Sequence, residues 1–343
     1  MKKNLNTQIG ALKPVWNIFL LILPIFLGFL ALCIGRISYP LEDILDVLGA
    51  KLTGSEPGTD KQIAMIIWNI RLPRILMAML VGAGLSVAGC AFQSLFANPL
   101  ATPDTLGVAS GTSFGAALAL LLGCHLFGTQ VMAFTFGILA VALTWLSAAG
   151  KSNGLSSVVL AGIMIGSLFS ALISLVKFTA DTESQLPAIT YWLMGSLSSA
   201  GFASLKIGAP CIILTILILY LLRWQLNILP LGEDEAKSLG SNIKLLRIIT
   251  ILCATAMTAS SVAMCGQVGW VGLLIPHICR MAFGNNHRTL IPACISLGAS
   301  FLMIVDTMAR SISASEIPIS VLTAIIGAPF FIILMRRTGG WKL

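Results

Sequence analysis

The chain has 343 residues, of which 57% are hydrophobic and only 10% charged, against about 25% charged in a typical soluble domain. That composition excludes an ordinary water-soluble core and fits a protein whose apolar exterior is solvated by lipid. The net charge of +8 does not point to nucleic acid, because there is no basic tract or basic stripe interleaved with aromatics. The charges collect in short connections instead, as topogenic residues do.

Lys2, Lys3 and Lys13 precede the first apolar run, Val15–Ile34. The run is longer than a signal-peptide core and lacks a small-residue cleavage site, so a retained first span is expected. The next segment, Arg36–Gln62, contains Tyr39–Leu48, with apolar residues at helical spacing, and reads as a helix on the membrane surface. Span two is drawn at Ile75–Leu95, with a start as early as Ile63. Leu106–Leu122, Val131–Ala149 and Ser157–Phe178 follow. Pairs of glycines four apart, Gly111 with Gly115 and Gly162 with Gly166, allow helix backbones to approach closely.

Within span five, Ser167, Ser170, Ser174 and Lys177 fall on one helix face. Such a stripe either lines a water-filled path or bonds to a neighbouring helix. Pro187–Ala200, with Tyr191 and Trp192, suits a short interfacial helix. Spans six to ten are Ile207–Leu222, Ile248–Ala263, Val271–Phe283, Leu290–Met308 and Ile319–Met335, the eighth being the shortest. All should be helices, since open backbone cannot stand unpaired in lipid and the alternation of a membrane β-barrel is absent.

Ten spans put both termini on one side. With that side inside, basic residues concentrate on the inner connections and acids on the outer ones, which makes the termini cytoplasmic. The predicted organisation is a cytoplasmic segment 1–14, a ten-helix all-α membrane domain 15–337 and a cytoplasmic tail 338–343. The polar turn 231–240, Leu231-Gly-Glu-Asp-Glu-Ala-Lys-Ser-Leu-Gly240, lies on the inner side. It is either a handle for a soluble engine or an ordinary connecting loop.

Arg71, Arg74 and Arg310 lie on the outer side, against the topogenic bias. They suit an acidic docking partner. The simpler readings are lipid headgroup contact for the first two and an i,i+4 pair with Asp306 for the third. The eight cysteines form no C-x-x-C or zinc spacing and read as small buried hydrophobes, with no disulfide and no metal site expected. His125, His277 and His287 are scattered. No phosphate-binding G-x-x-x-x-G-K-[ST] occurs. An ion-coupled carrier would need an intramembrane carboxylate or a pair of broken helices, and a membrane enzyme would need clustered nucleophile, base or metal ligands. Neither pattern is evident.

Five motifs in order carry a resemblance. They are Arg71-Leu-Pro-Arg74; Asn98-Pro-Leu-Ala101 within Gln93–Gly107; Gly232–Gly240; Gly269-Trp-Val-Gly-Leu-Leu-Ile-Pro-His277; and Asp306-Thr-Met-Ala-Arg310 with Glu316-Ile-Pro318 and Gly327-Ala-Pro-Phe330. Over about Ile63 to Arg337 the chain resembles the FecCD-type permeases, the membrane subunits of ABC importers for iron–siderophores, haem and cobalamin.

The resemblance implies a type II ABC importer architecture in the bacterial cytoplasmic membrane. The permease pairs with a second copy or close paralogue, two ATPases bind below it and an extracytoplasmic substrate-binding protein docks above. It implies that this chain is not an enzyme and binds no cofactor, ATP and Mg being used by the partner. It assigns Glu233, Asp234, Glu235, Ala236, Lys237, Ser238 and Leu239 to a coupling helix in the ATPase cleft. Arg71, Arg74 and Arg310 go to binding-protein docking. Asn98, Leu100, Ser156 and Ser157 fall to the inner gate, with Ser167, Ser170 and Ser174 along the path. The expected cargo is an iron–siderophore or haem; cobalamin or an oxyanion such as molybdate is the alternative.

Overall fold

The computed structural model describes residues 14–148, 155–231, 235, 238, 242–313 and 315–337. The expected segments 1–14 and 338–343 lie almost wholly outside the described residues, as do the coupling residues Glu233, Asp234, Ala236, Lys237 and Leu239.

Twelve helices are named here in chain order: α1 Pro14–Cys33, α2 Leu41–Thr53, α3 Lys61–Leu95, α4 Val108–Leu121, α5 Leu126–Ala148, α6 Leu155–Thr179, α7 Gln185–Leu193, α8 Phe202–Leu221, α9 Ile243–Cys265, α10 Val271–Phe283, α11 His287–Ile312 and α12 Ile319–Arg337. Each of the ten apolar runs has its helix. Seven helices are long and apolar enough to cross a membrane; α4, α10 and α12 are shorter apolar helices. The segments read as surface helices form α2 and α7.

Most spanning helices run several residues past the apolar runs. Hydropathy marks the hydrocarbon slab, whereas the backbone stays helical until a cap stops it. Asp60, Asn242 and Asn286 supply such caps, each side chain accepting a backbone N–H of the first turn. α3 starts at Lys61, close to the early limit at Ile63, and contains one π-helical turn at Ile67–Arg71.

Three helices form the centre. In α3, α9 and α11, 83%, 78% and 72% of the apolar stretch is buried, against 22–28% in α1, α5, α6 and α8. The outer helices present Leu21, Phe26, Leu146, Leu160, Met164 and Leu217 outward, a surface only lipid or another apolar face can cover.

α3 is the hub because its sequence Val81-Gly-Ala-Gly-Leu-Ser-Val-Ala-Gly89 has almost no side chain in the way. A Cβ on Gly82 would lie 2.2 Å from the Gly298 carbonyl oxygen of α11. On Gly89 it would lie 1.9 Å from that of Gly272 in α10. Between helices in lipid, association rests on such close packing rather than on water exclusion. The expected glycine pairs also lie at crossings: Gly111 and Gly115 meet Phe136 and Met132 of α5, and Gly162 meets Thr105. Phe114, Phe136 and Phe169 then lock α4, α5 and α6 with centroids 5.0–6.4 Å apart.

Candidate functional site

The two ends of the bundle carry different chemistry. At the expected outer end, α1 finishes, α3 begins and α11 finishes, and here Arg71, Arg74 and Arg310 converge. None offers a free guanidinium, since all three are less than a tenth exposed. Arg71 donates to the carbonyls of Leu32, Cys33 and Ile37 and lies over the Tyr39 ring, 4.4 Å from its centroid. Arg310 donates to the Ala31 carbonyl. Two arginines thus cap the C-terminal carbonyls of α1, where the helix dipole is negative.

Arg74 holds two acids. Its Nε and Nη2 donate to Asp306 at 2.8–3.1 Å, and Nη1 and Nη2 donate to Glu316 at 2.8 and 3.0 Å. Asp306 also pairs with Arg310, one turn on, at 3.8 Å, which is the i,i+4 contact its spacing allows. The Asp306 side chain is 2% exposed and that of Glu316 31%. Gly35 makes room for the cluster, because a Cβ there would meet Arg71 Nη2 at 3.0 Å and Arg310 Nη1 at 3.2 Å. Docking through free arginines, as expected from the motif, is therefore not what this geometry presents. The charges are engaged within the chain, and Glu316 is the solvent edge of the cluster.

At the other end, a cleft of about 800 Å³ is lined by Gln93, Asn98, Asn227, Pro230, Arg280 and His287, among others. Two polar links cross behind it. Arg280 donates to the Gln93 side-chain oxygen, and Gln93 Nε2 donates to the Gly272 carbonyl at 3.3 Å. His287 Nε2 meets Ser94 Oγ, while the His287 backbone N–H and Nδ1 both reach Asn227 Oδ1 at 2.9 Å. Asn227 Oδ1 can only accept, so Nδ1 donates to it, while Ser94 Oγ, which also lies 3.0 Å from the Cys90 carbonyl, faces Nε2. Asn227 Nδ2 completes the link to the Trp224 carbonyl and Asn286.

The first link ties the end of α3 to α10, and the second ties it through His287 to Asn227, shortly before the expected coupling segment. Asn98 and Leu100 are exposed in the loop after α3, where Asn98 Oδ1 accepts the Leu100 N–H at 2.9 Å. Ala97 turns this loop with φ 45°, a left-handed conformation uncommon outside glycine. Farther along the loop, Thr105 and Leu106 pack against Gly162 of α6. Ser156 is exposed and Ser157 half-buried at the start of α6. Ser167, Ser170 and Ser174 are exposed, each Oγ donating to the carbonyl four residues back in its own helix. Among the described residues, these three hydroxyls bond to no neighbouring helix, and the residues stay exposed. Of the coupling residues, Glu235 and Ser238 are described; both are exposed, and Ser238 Oγ donates to the Glu235 carbonyl at 2.7 Å.

Sequence reading missed the Gln93–Arg280 and Ser94–His287–Asn227 links, because their members lie up to 193 residues apart. A signal was present in Gln93 and Ser94, two polar residues ending an apolar span.

A helical bundle with an apolar exterior, glycine-mediated crossings and polar loops gathered at both ends is a multi-pass membrane protein. A model of the FecCD transport family matches residues 21–337. The molybdate import permease MolB of Haemophilus influenzae is 42% identical over 320 residues, 93% of this chain and 94% of that one. A probable iron chelatin transport permease of Helicobacter pylori is 35% identical over 317 residues, 92% and 96% of the two chains. A solved structure of a transporter assigned to the metal-chelate ABC type, in an inward-facing conformation, aligns with TM-score 0.85 at 39% identity, covering 95% of this chain and all of that one. The chain belongs to the FecCD transport family, whose members are ABC transporter permease subunits.

Proposed function

We propose that this chain is the permease subunit of an importer in the bacterial cytoplasmic membrane, moving a metal chelate such as an iron–siderophore or haem inward. The observation that supports the mechanism is the Ser94–His287–Asn227 link, which joins residues 225–231 to the end of α3, the helix that bears the Asn98 loop. A push on segment 231–240 reaches that loop through a few short hydrogen bonds and one continuous helix. Two ATPases would deliver the push on closing over ATP and Mg, and a second permease copy or paralogue would complete the path. By linkage, whatever docks outside then biases the nucleotide cycle inside by the same free energy.

Docking of a substrate-binding protein at the outer end is read as indirect. A basic or hydrogen-bond-donating group on the partner would meet the cluster at its Glu316 edge, while Arg71, Arg74 and Arg310 hold the ends of α1, α3 and α11 in place. The exposed serines of α6 suit a path that wets its cargo without gripping it. The molybdate reading stands second, favoured by the 42% identity to MolB.

Vesicles containing the permease with its ATPase and binding protein test both readings. ATP-driven uptake of a ferric siderophore, haem and molybdate, compared in the same vesicles, ranks the cargo. Glu233→Arg combined with Glu235→Arg should abolish uptake while leaving insertion and assembly of the bundle unchanged. Uptake at the unmodified rate would remove segment 231–240 from the coupling route.

A further inference from the structure

A second recess opens at the same end of the bundle as the cleft, but on its outer surface, between the start of α1, the end of α8 and the start of α11. It encloses about 780 Å³. Its walls are apolar, with Leu20, Pro24, Leu221, Pro292 and Ile295 among them. Arg223 and Arg288 line the recess where those three helices meet, and among the described residues no carboxylate lines it. Arg223 is folded back over the Tyr220 ring, 4.1 Å from its centroid, with Nη1 donating to the Tyr220 carbonyl at 2.7 Å. Arg288 is exposed. Trp224, at the rim, is 47% exposed, the placement of an interfacial aromatic.

The wall also holds an unmet polar group. Ser296 is 4% exposed, lines the recess, and its Oγ has no hydrogen-bond partner among the described residues. A buried hydroxyl left without an acceptor is costly, and one bordering an apolar groove would gain from an acceptor carried in by an apolar molecule.

We propose that this recess binds one anionic glycerophospholipid. The phosphate lies between Arg223 and Arg288, the acyl chain runs along Pro24, Pro292 and Ile295, and an ester carbonyl accepts from Ser296. Basic recesses between spanning helices at an interface are suited to acidic headgroups. A zwitterionic lipid is the poorer occupant, because its own cation opposes the two guanidiniums. A free phosphate would leave the apolar walls and Ser296 unmet. The site abuts both α8, which leads into residues 222–231, and α11, whose first residues carry His287. A bound lipid would therefore brace the two elements that hold the Ser94–His287–Asn227 link.

The test is native mass spectrometry of the full chain with phosphatidylglycerol, phosphatidylcholine or inorganic phosphate as separate probes. One tightly held phosphatidylglycerol is expected. Its affinity should fall about thirty-fold in Arg223→Gln/Arg288→Gln, at roughly 1 kcal/mol per basic residue near an anionic surface, and largely return in Arg223→Lys/Arg288→Lys. Equal retention of phosphatidylcholine, retention of inorganic phosphate without lipid, or an unchanged affinity in the glutamine variant would each overturn the proposal. If the glutamine variant fails to assemble, the preference of the unmodified chain for phosphatidylglycerol over phosphatidylcholine decides alone.

Discussion

Asp306→Ala should lower the stability of the purified chain by about 3–5 kcal/mol with no partner protein present. Asp306 accepts three hydrogen bonds from Arg74 and pairs with Arg310, and its side chain is 2% exposed. Removing it leaves two buried guanidiniums facing each other with only Glu316 and a helix end to balance them. Glu316→Gln should be far milder, about 1 kcal/mol or less, since that side chain is 31% exposed and water can take over its role. The measurement is the thermal midpoint of each variant in one detergent. If Glu316→Gln were the more damaging of the two, the cluster would be organised around its outer edge, as a direct docking surface would be, and the architectural reading of the three arginines would be wrong.

Gly89→Val is expected to prevent the bundle from packing. Ordinary overpacking costs about 1–3 kcal/mol because side chains can move aside. Here the new Cβ would lie 1.9 Å from the Gly272 carbonyl oxygen, and backbone on both sides leaves nothing to rotate away. α3 and α10 would have to separate, carrying apart Gln93 and Arg280, which lie on the same two helices beyond the contact. Gly49→Ala, on surface helix α2, is the matched control, since nothing lies within 4 Å of its Cβ position. Monodisperse recovery in detergent should be lost for Gly89→Val and kept for Gly49→Ala. Equal recovery would mean that the α3–α10 crossing is looser than its geometry implies.

The spans were legible because lipid imposes a strong constraint on composition: about 20 apolar residues per crossing leave runs that no soluble segment would carry. Their ends were less legible, because caps such as Asn242 and Asn286 lie beyond the apolar run they terminate. Gly111–Gly115 was readable as a packing pair, whereas Gly82 and Gly89, two turns apart, make closer contacts and escaped a search for four-residue spacing. The arginine motif was readable as chemistry but not as geometry. Its acids, Asp306 and Glu316, are 232 and 242 positions from Arg74, and only the fold reveals that Arg74 is already paired with both inside the chain. The Ser94–His287–Asn227 link was hidden for the same reason. Ser167, Ser170 and Ser174 share a face by simple periodicity, and the fold adds that they bond within their own helix.

We propose that this chain is a conduit worked by a separate, nucleotide-driven partner. Vesicles holding the permease alone, the permease with its ATPase and binding protein, and the full assembly with a hydrolysis-dead ATPase should be compared for cargo accumulation. Steady accumulation is expected only in the second set, and only with ATP. Accumulation by the permease alone, driven by an ion gradient, would contradict the claim.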